Sequence, residues 1–134
     1  MTLCAMLDTN IVSSLMRLGQ GPLWNKMHDF GAHHICISII TAAELRFGAE
    51  AKASARLTRE VDDFLRDIEV LPFATPADSA YAQIRAHLKR MGTPIGGNDL
   101  FIAAHALALD LTLVTANLGE FSRVPNLKIE NWLD

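Results

Sequence analysis

Leu3-Cys4-Ala5-Met6-Leu7-Asp8-Thr9-Asn10 is the stretch that decides the fold of this chain. Five apolar residues run straight into an aspartate, with no alternation of apolar and polar side chains. A strand apolar on both faces belongs in a sheet covered on both sides, as in parallel α/β architectures. Asp8 then falls at the carboxyl end of that strand, the edge where ligands gather in such sheets. Ile35-Cys36-Ile37-Ser38-Ile39-Ile40 is a second run of the same kind. Shorter runs at residues 69–73 and 111–115, with an edge strand near 127–130, bring the expected number to five. The intervening segments have helical period: Leu57, Val61, Phe64, Leu65 and Ile68 form one stripe, and Ala77, Ala80, Tyr81, Ile84, Leu88 and Met91 another. Strands alternating with helices predict a three-layer α/β domain, its mostly parallel five-stranded sheet flanked by helices through right-handed crossovers.

The chain has 134 residues, half of them hydrophobic and 20% charged, with 8 glycines and 5 prolines. That balance excludes disordered and collagen-like classes and points to one domain over residues 1–134. A domain of this size buries roughly 65–70% of the surface its unfolded chain exposes, so no disulfide or zinc staple is required. Its longest uncharged apolar stretches run to about ten residues, short of the ~20 that span a bilayer. The N-terminus lacks the basic region of a signal peptide, which makes a cytoplasmic location the expectation. Cys4 and Cys36 lie in apolar runs without metal-ligand spacing and read as buried, reduced thiols.

The acidic residues carry the chemistry. Asp8 closes the first strand, although Asp8 or Thr9 also suits a cap for a helix starting near Asn10. Glu44 lies in Thr41-Ala42-Ala43-Glu44, the pattern of a capping box. Asp99 stands at the head of a helix expected from Asn98 to about Leu109, where a carboxylate meets the positive end of the helix dipole. The rest of that helix is so apolar that Asp99 is expected to face an internal cleft. Asn117 and Glu120 follow the fourth strand. Each has a local explanation; what capping does not explain is that all of them fall at one end of one sheet.

Clustered carboxylates without histidine or cysteine ligands favour a hard cation, Mg²⁺ or Mn²⁺. His28, His33, His34, His87 and His105 are adjacent or isolated and read as structural or solvated groups. A site of this kind suits phosphodiester hydrolysis, since the cation offsets phosphate charge and acidifies water. The net charge is −3, from 12 basic and 15 acidic residues. With Asp8, Glu44, Asp99 and Glu120 set aside as a cation-neutralised group, the remainder is +1 and tolerates an anionic polymer. Arg46 and the group Arg85, Lys89 and Arg90 are candidate phosphate contacts; alternatively, Arg46 pairs with Glu50 and the trio complements a helix C-terminus. The glycine-rich stretch at 92–97 lacks the Lys-Ser/Thr ending of a phosphate-binding P-loop and reads as an approach to the next helix.

Met6-Leu7-Asp8-Thr9-Asn10-Ile11, Thr41-Ala42-Ala43-Glu44-Leu45-Arg46-Phe47-Gly48, Pro94-Ile95-Gly96-Gly97-Asn98-Asp99-Leu100-Phe101-Ile102-Ala103-Ala104-His105-Ala106 and Leu113-Val114-Thr115-Ala116-Asn117-Leu118-Gly119-Glu120-Phe121 together resemble the PIN-domain toxins of the VapC type. The similarity spans nearly the whole chain. It implies a Mg²⁺- or Mn²⁺-dependent endoribonuclease, the toxin of a type II toxin–antitoxin pair, acting on structured RNA such as tRNA or rRNA. Carried over by position, the catalytic set is Asp8, Glu44, Asp99 and Asn117, with Asp8 and Asp99 as principal metal ligands. Glu44 would complete the metal shell or orient the attacking water. Asn117 stands where many PIN domains have aspartate, and Ala116 replaces a residue that is often polar, so Glu120 is a further contributor. Thr9 and Thr115 would hold carboxylates through their hydroxyls. The resemblance also implies a homodimer and a VapB-type antitoxin occupying the groove. On chemistry, Ile11, Leu15, Met16, Leu18, Leu23 and Trp24 of the first two helices are candidates to receive an amphipathic peptide, the alternative for most of them being ordinary helix packing inside the monomer.

Two other readings remain. An inactive PIN-like binding module would conflict with the intact Asp8, Glu44 and Asp99. A receiver-like phosphoacceptor domain needs an aspartate at the end of the third strand, and Leu71-Pro72-Phe73 supplies none.

Overall fold

A computed structural model describes residues 2–133; Met1 and Asp134, the ends of the span assigned to one domain, lie outside the described residues. Five strands form one sheet: β1 Ala5–Leu7, β2 Ile35–Ser38, β3 Glu69–Leu71, β4 Thr112–Val114 and β5 Ile129–Glu130. Their order is β3-β2-β1-β4-β5, and every pairing is parallel. The chain builds outward from β1 to β2 and β3 on one side, then returns to place β4 against the other side of β1. The connections therefore diverge between β1 and β4, and that divergence opens a crevice at the strands' carboxyl ends. Leu7 pairs with Val114 there, which sets Asp8 and Thr115 side by side just beyond the sheet.

Successive side chains on β1 feed opposite faces. Ala5 and Leu7 join Ile35, Ile37 and Val114 in one core, while Met6, Cys36 and Leu113 belong to a second. The first is covered by α1 Thr9–Leu18, α2 Pro22–Phe30, α3 Ile39–Ala51 and α4 Ala55–Asp67. The second is covered by α5 Ala77–Met91, α6 Gly97–Ala108 and the short α7 Leu118–Phe121. This is the three-layer arrangement that the two-faced apolar strands require. Ala103, Ala104 and Ala106 are fully buried, so α6 lies deep within the second layer.

Several boundaries differ from the sequence expectation for local reasons. The second strand stops at Ser38 rather than running to Ile40, because the Ser38 hydroxyl accepts from the Ile40 N–H and starts α3. Thr41 therefore sits inside the helix, and the expected Thr41–Glu44 capping box does not form. Asp8 caps α1, accepting from the Ile11 N–H at 2.9 Å, so that helix begins at Thr9 rather than Asn10. Leu118–Phe121, to which the sequence pattern assigns no element, forms α7. Met91, placed on the buried stripe of α5, is exposed at the helix end, where Gly92 turns the chain with φ +70°. Cys36 is buried as expected, but Cys4 precedes β1 and is exposed. Ile11, Leu15 and Leu23 pack inside the first core, which leaves Leu18 as the exposed member of that candidate contact set. Arg46 reaches from α3 to Asp62 on α4 at 2.7 Å rather than to Glu50.

Leu113 is fully buried at the centre of the second core. Leu113→Ala is expected to lower stability by about 2–5 kcal/mol while keeping the fold, measured as a reduced urea midpoint at an unchanged m-value.

Candidate active site

The crevice between β1 and β4 gathers side chains from five elements and loops. Asp8, from the end of β1, is 2% exposed. Its Oδ2 accepts from the Thr115 hydroxyl at 2.5 Å, and its Oδ1 accepts from the Ile11 N–H. Thr115 is itself held by the Asn117 N–H, which donates to its hydroxyl oxygen at 2.9 Å. The carboxylate at the end of one strand is thus fixed by the residue that ends its neighbour.

Glu44 enters from α3. Freed from any capping role, its Oε1 accepts from the Thr9 hydroxyl at 2.5 Å and its Oε2 from the Asn98 amide at 3.1 Å. Thr9 also contacts the buried Thr41 hydroxyl, 3.3 Å away. The contribution of Asn98 escaped the sequence reading. Its only signal there was its position immediately before Asp99 in the first turn of an otherwise apolar helix.

Asp99 stands in that first turn of α6 and shares a hydrogen bond with Glu120 from α7. Glu120 also accepts from the Gly96 N–H at 3.0 Å and from the Asn117 amide at 2.8 Å. Asn117 is thereby turned toward Glu120: its side chain and its backbone N–H brace two different members of the group. All four positions read from sequence, Asp8, Glu44, Asp99 and Asn117, meet at this edge, and Glu120 joins them as a full neighbour of Asp99.

The electrostatics follow from this crowding. Burial pushes the Asp99 carboxyl up to about 7, reinforced by the hydrogen bond and charge of Glu120 and by the charges of Asp8 and Glu44. Burial also raises Asp8, with Glu44 adding to the effect and the bonds from Thr115, Ile11 and Asn10 partly opposing it. For Glu120, burial alone would do the same. The hydrogen bonds from Asp99, Gly96 and Asn117 and the charge of Arg123 outweigh it and hold this carboxyl below its usual range. Burial and hydrogen bonding thus push the two neighbouring carboxyls in opposite directions, Asp99 up and Glu120 down.

The donors are all oxygens, with no imidazole or thiolate among them, and burial with the neighbouring acids opposes charge at Asp8 and Asp99. Both properties fit a hard divalent cation. Among the described residues, no three His, Cys, Asp or Glu side chains close around one point as a finished metal cage. His105, expected to be structural or solvated, is buried away from the acids, with its Nδ1 2.8 Å from the Ser38 hydroxyl. Burial lowers its pKa.

Comparison with known proteins gives a consistent picture. The family model described as PIN domain matches residues 5–127. The ribonuclease VapC2 of Rickettsia felis is 38% identical over 129 residues, covering 95% of this chain and 96% of that protein. A tRNA(fMet)-specific endonuclease VapC of Salmonella typhimurium is 44% identical over 105 residues, 78% of this chain and 80% of its own length. The crystal structure of VapBC2 from Rickettsia felis bound to a DNA fragment from their promoter contains a chain that superposes with a TM-score of 0.90 at 37% identity, covering 97% of this chain and 99% of that one.

The raised Asp99 carboxyl gives a signed expectation for the metal-free protein. Asp99 binds its proton more tightly folded than unfolded, so its contribution to stability is complete below the ordinary 3.8 and is lost as pH rises toward about 7. In EDTA, the stability of Asp99→Asn relative to wild type is expected to rise across that window and then level off. The difference between the two urea midpoints at successive pH values measures it, with His105 contributing alike to both proteins.

Proposed function

The chain belongs to the PIN-domain family, among its VapC-type ribonucleases, and on that premise we propose that it hydrolyses RNA phosphodiester bonds at the β1–β4 crevice as the toxin of a VapB–VapC pair acting in the cytoplasm. The observation that supports this reading is the convergence of Asp8, Glu44, Asp99 and Glu120 in a partly buried site, held there by Thr115, Thr9, Asn98, Asn117 and the Gly96 N–H.

Asp8 and Asp99 are proposed to hold a divalent cation, Mg²⁺ or Mn²⁺, with Glu44 completing the set of oxygen donors. When bound, the cation would offset the charge of the phosphodiester and make water acidic enough to attack at neutral pH. Thr115 holds Asp8, and Thr9 with Asn98 holds Glu44, so the carboxylates present their oxygens in fixed directions. Such outer partners govern metal affinity nearly as strongly as the ligands they orient. In the alternative role that the resemblance allows, Glu44 would instead orient the attacking water. Water oxygen bonds to phosphorus, the bond to the 3′ oxygen breaks, and that oxygen leaves with a proton, giving 5′-phosphate and 3′-hydroxyl ends.

Asn117 supports this site by bracing Thr115 and Glu120 rather than by taking a ligand position. The relatives that share the fold include a tRNA(fMet)-specific endonuclease and chains from VapBC complexes. By that likeness the proposed substrate is a structured RNA, tRNA or rRNA, and the proposed partner is a VapB-type antitoxin. A homodimer is proposed on the family resemblance.

Brief expression followed by sequencing of new RNA ends should show discrete 5′-phosphate cuts that are absent with Asp8→Ala or Asp99→Ala. Purified protein should lose cleavage in excess EDTA and recover it with Mg²⁺ or Mn²⁺; full activity in EDTA would refute the mechanism. Thr115→Val removes an orienting hydroxyl and is expected to cost roughly 10–100-fold in activity, less than loss of either aspartate.

A further inference from the structure

The acids of the crevice repel the polymer they are proposed to cut, so the strand needs cationic contacts beside them. The ion pairs of the fold do not supply these: Arg46, Arg56, Arg66 and Lys128 are each matched with a carboxylate. Arg85 and Lys89 are among the cations outside these pairs, as are Arg17 and Lys52 in the cleft that holds Thr9 and Glu44. Arg85 and Lys89 project one turn apart from α5, both exposed, and among the described residues neither lies within ion-pair distance of an acid.

Between them and the 92–97 loop lies a cleft of about 500 Å³ walled by Tyr81, Leu88, Pro94, Ile95 and Leu100 and reaching Gly97. Gly97 begins α6, flanked by Gly96, whose N–H holds Glu120, and by Asn98, whose amide holds Glu44. The cleft therefore adjoins the acidic crevice across a single stretch of backbone. One wall is preorganised. Tyr81 stacks on Phe101 with ring centroids 4.6 Å apart and planes at 18°, and the Arg85 Nη1 donates to the Tyr81 hydroxyl at 2.7 Å. That bond uses one of the five guanidinium N–H groups and leaves the others for an anion. On the opposite side, Arg123 donates to the Pro94 carbonyl at 3.1 Å and fixes the loop that forms the rim.

We propose that this cleft is a subsite for an RNA nucleotide next to the cut, with Arg85 and Lys89 on its phosphate and the apolar wall of Tyr81, Pro94 and Ile95 against its ribose and base. The mixed lining favours a nucleotide over a free anion: an inorganic phosphate would use only the cationic rim, whereas a nucleotide uses both rim and wall. The subsite rests on the ribonuclease reading and sets how the strand lies across the crevice. It requires no contact between Arg85 or Lys89 and the reacting atoms, so both are positioning residues.

The test compares wild type, Arg85→Gln/Lys89→Gln, and a control, Arg59→Gln/Arg66→Gln, on α4. Binding of fluorescently labelled bulk bacterial tRNA is followed by anisotropy in EDTA at several salt concentrations, and cleavage of the same RNA is followed with Mg²⁺. The α5 double variant is expected to bind about tenfold more weakly, to reduce the slope of log affinity against log salt by roughly 1.5, and to raise KM with kcat nearly unchanged. Arg85→Lys/Lys89→Arg should recover most of the binding, and the α4 control should behave as wild type. An α5 double variant with wild-type affinity, salt slope and KM would overturn the subsite while leaving the ribonuclease reading intact. An equal loss in the α4 control would overturn it in favour of diffuse attraction. Where wild type neither binds nor cuts tRNA, the same comparison is made on total bacterial rRNA, and failure on both overturns the ribonuclease reading and the subsite together.

Discussion

Burial beside Glu120, Asp8 and Glu44 pushes the Asp99 carboxyl up to about 7, and much of the surrounding structure answers that repulsion. Separate devices hold the acids in place: a hydroxyl and a backbone N–H for Asp8, a hydroxyl and an amide for Glu44, and an amide and a backbone N–H for Glu120. Each donor stabilises the charged form of the carboxylate it meets, while burial opposes that form. The two effects oppose each other at every carboxylate of the group, with burial prevailing at Asp8 and Asp99 and the donors prevailing at Glu120.

The parallel sheet makes the arrangement possible. Its strands end together, and the reversal in order between β1 and β4 spreads the connections apart at that end. The two apolar layers then fix the angles from which the other acids approach. Glu44 comes from α3 on one face, whereas Asp99 and Glu120 come from α6 and α7 on the other. Asn98 joins the two sides, since it belongs to α6 and donates to the carboxylate of α3. A shift of either layer relative to the sheet would therefore be felt at the crevice.

Charge is distributed with the same division. Most ion pairs stitch exposed side chains on or between helices of the first layer, where each adds little to stability because solvent screens it. Arg85 and Lys89 of α5 line a cleft in the second layer with Pro94, Ile95 and Gly97. A net charge of −3 thus hides a local concentration of acids at the sheet edge.

The sequence by itself determined the layered fold and the edge at which the chemistry collects. Unbroken apolar strands can be buried only between two helical layers, and an aspartate directly after such a strand must emerge at its carboxyl end. The family motifs marked Asp8, Glu44, Asp99 and Asn117 because they lie at fixed distances from those strands. Only tertiary structure decided what each side chain touches. Thr41-Ala42-Ala43-Glu44 is locally a good capping box, yet Ser38 takes the cap three residues earlier and sends Glu44 to Thr9 and Asn98. Asn117 stands at the family's fourth position, and only the fold shows its amide donating to Glu120, three residues on. Such outcomes turn on contacts between residues as far apart as Asp8 and Thr115, and local patterns of a few residues contain no information about partners a hundred positions away.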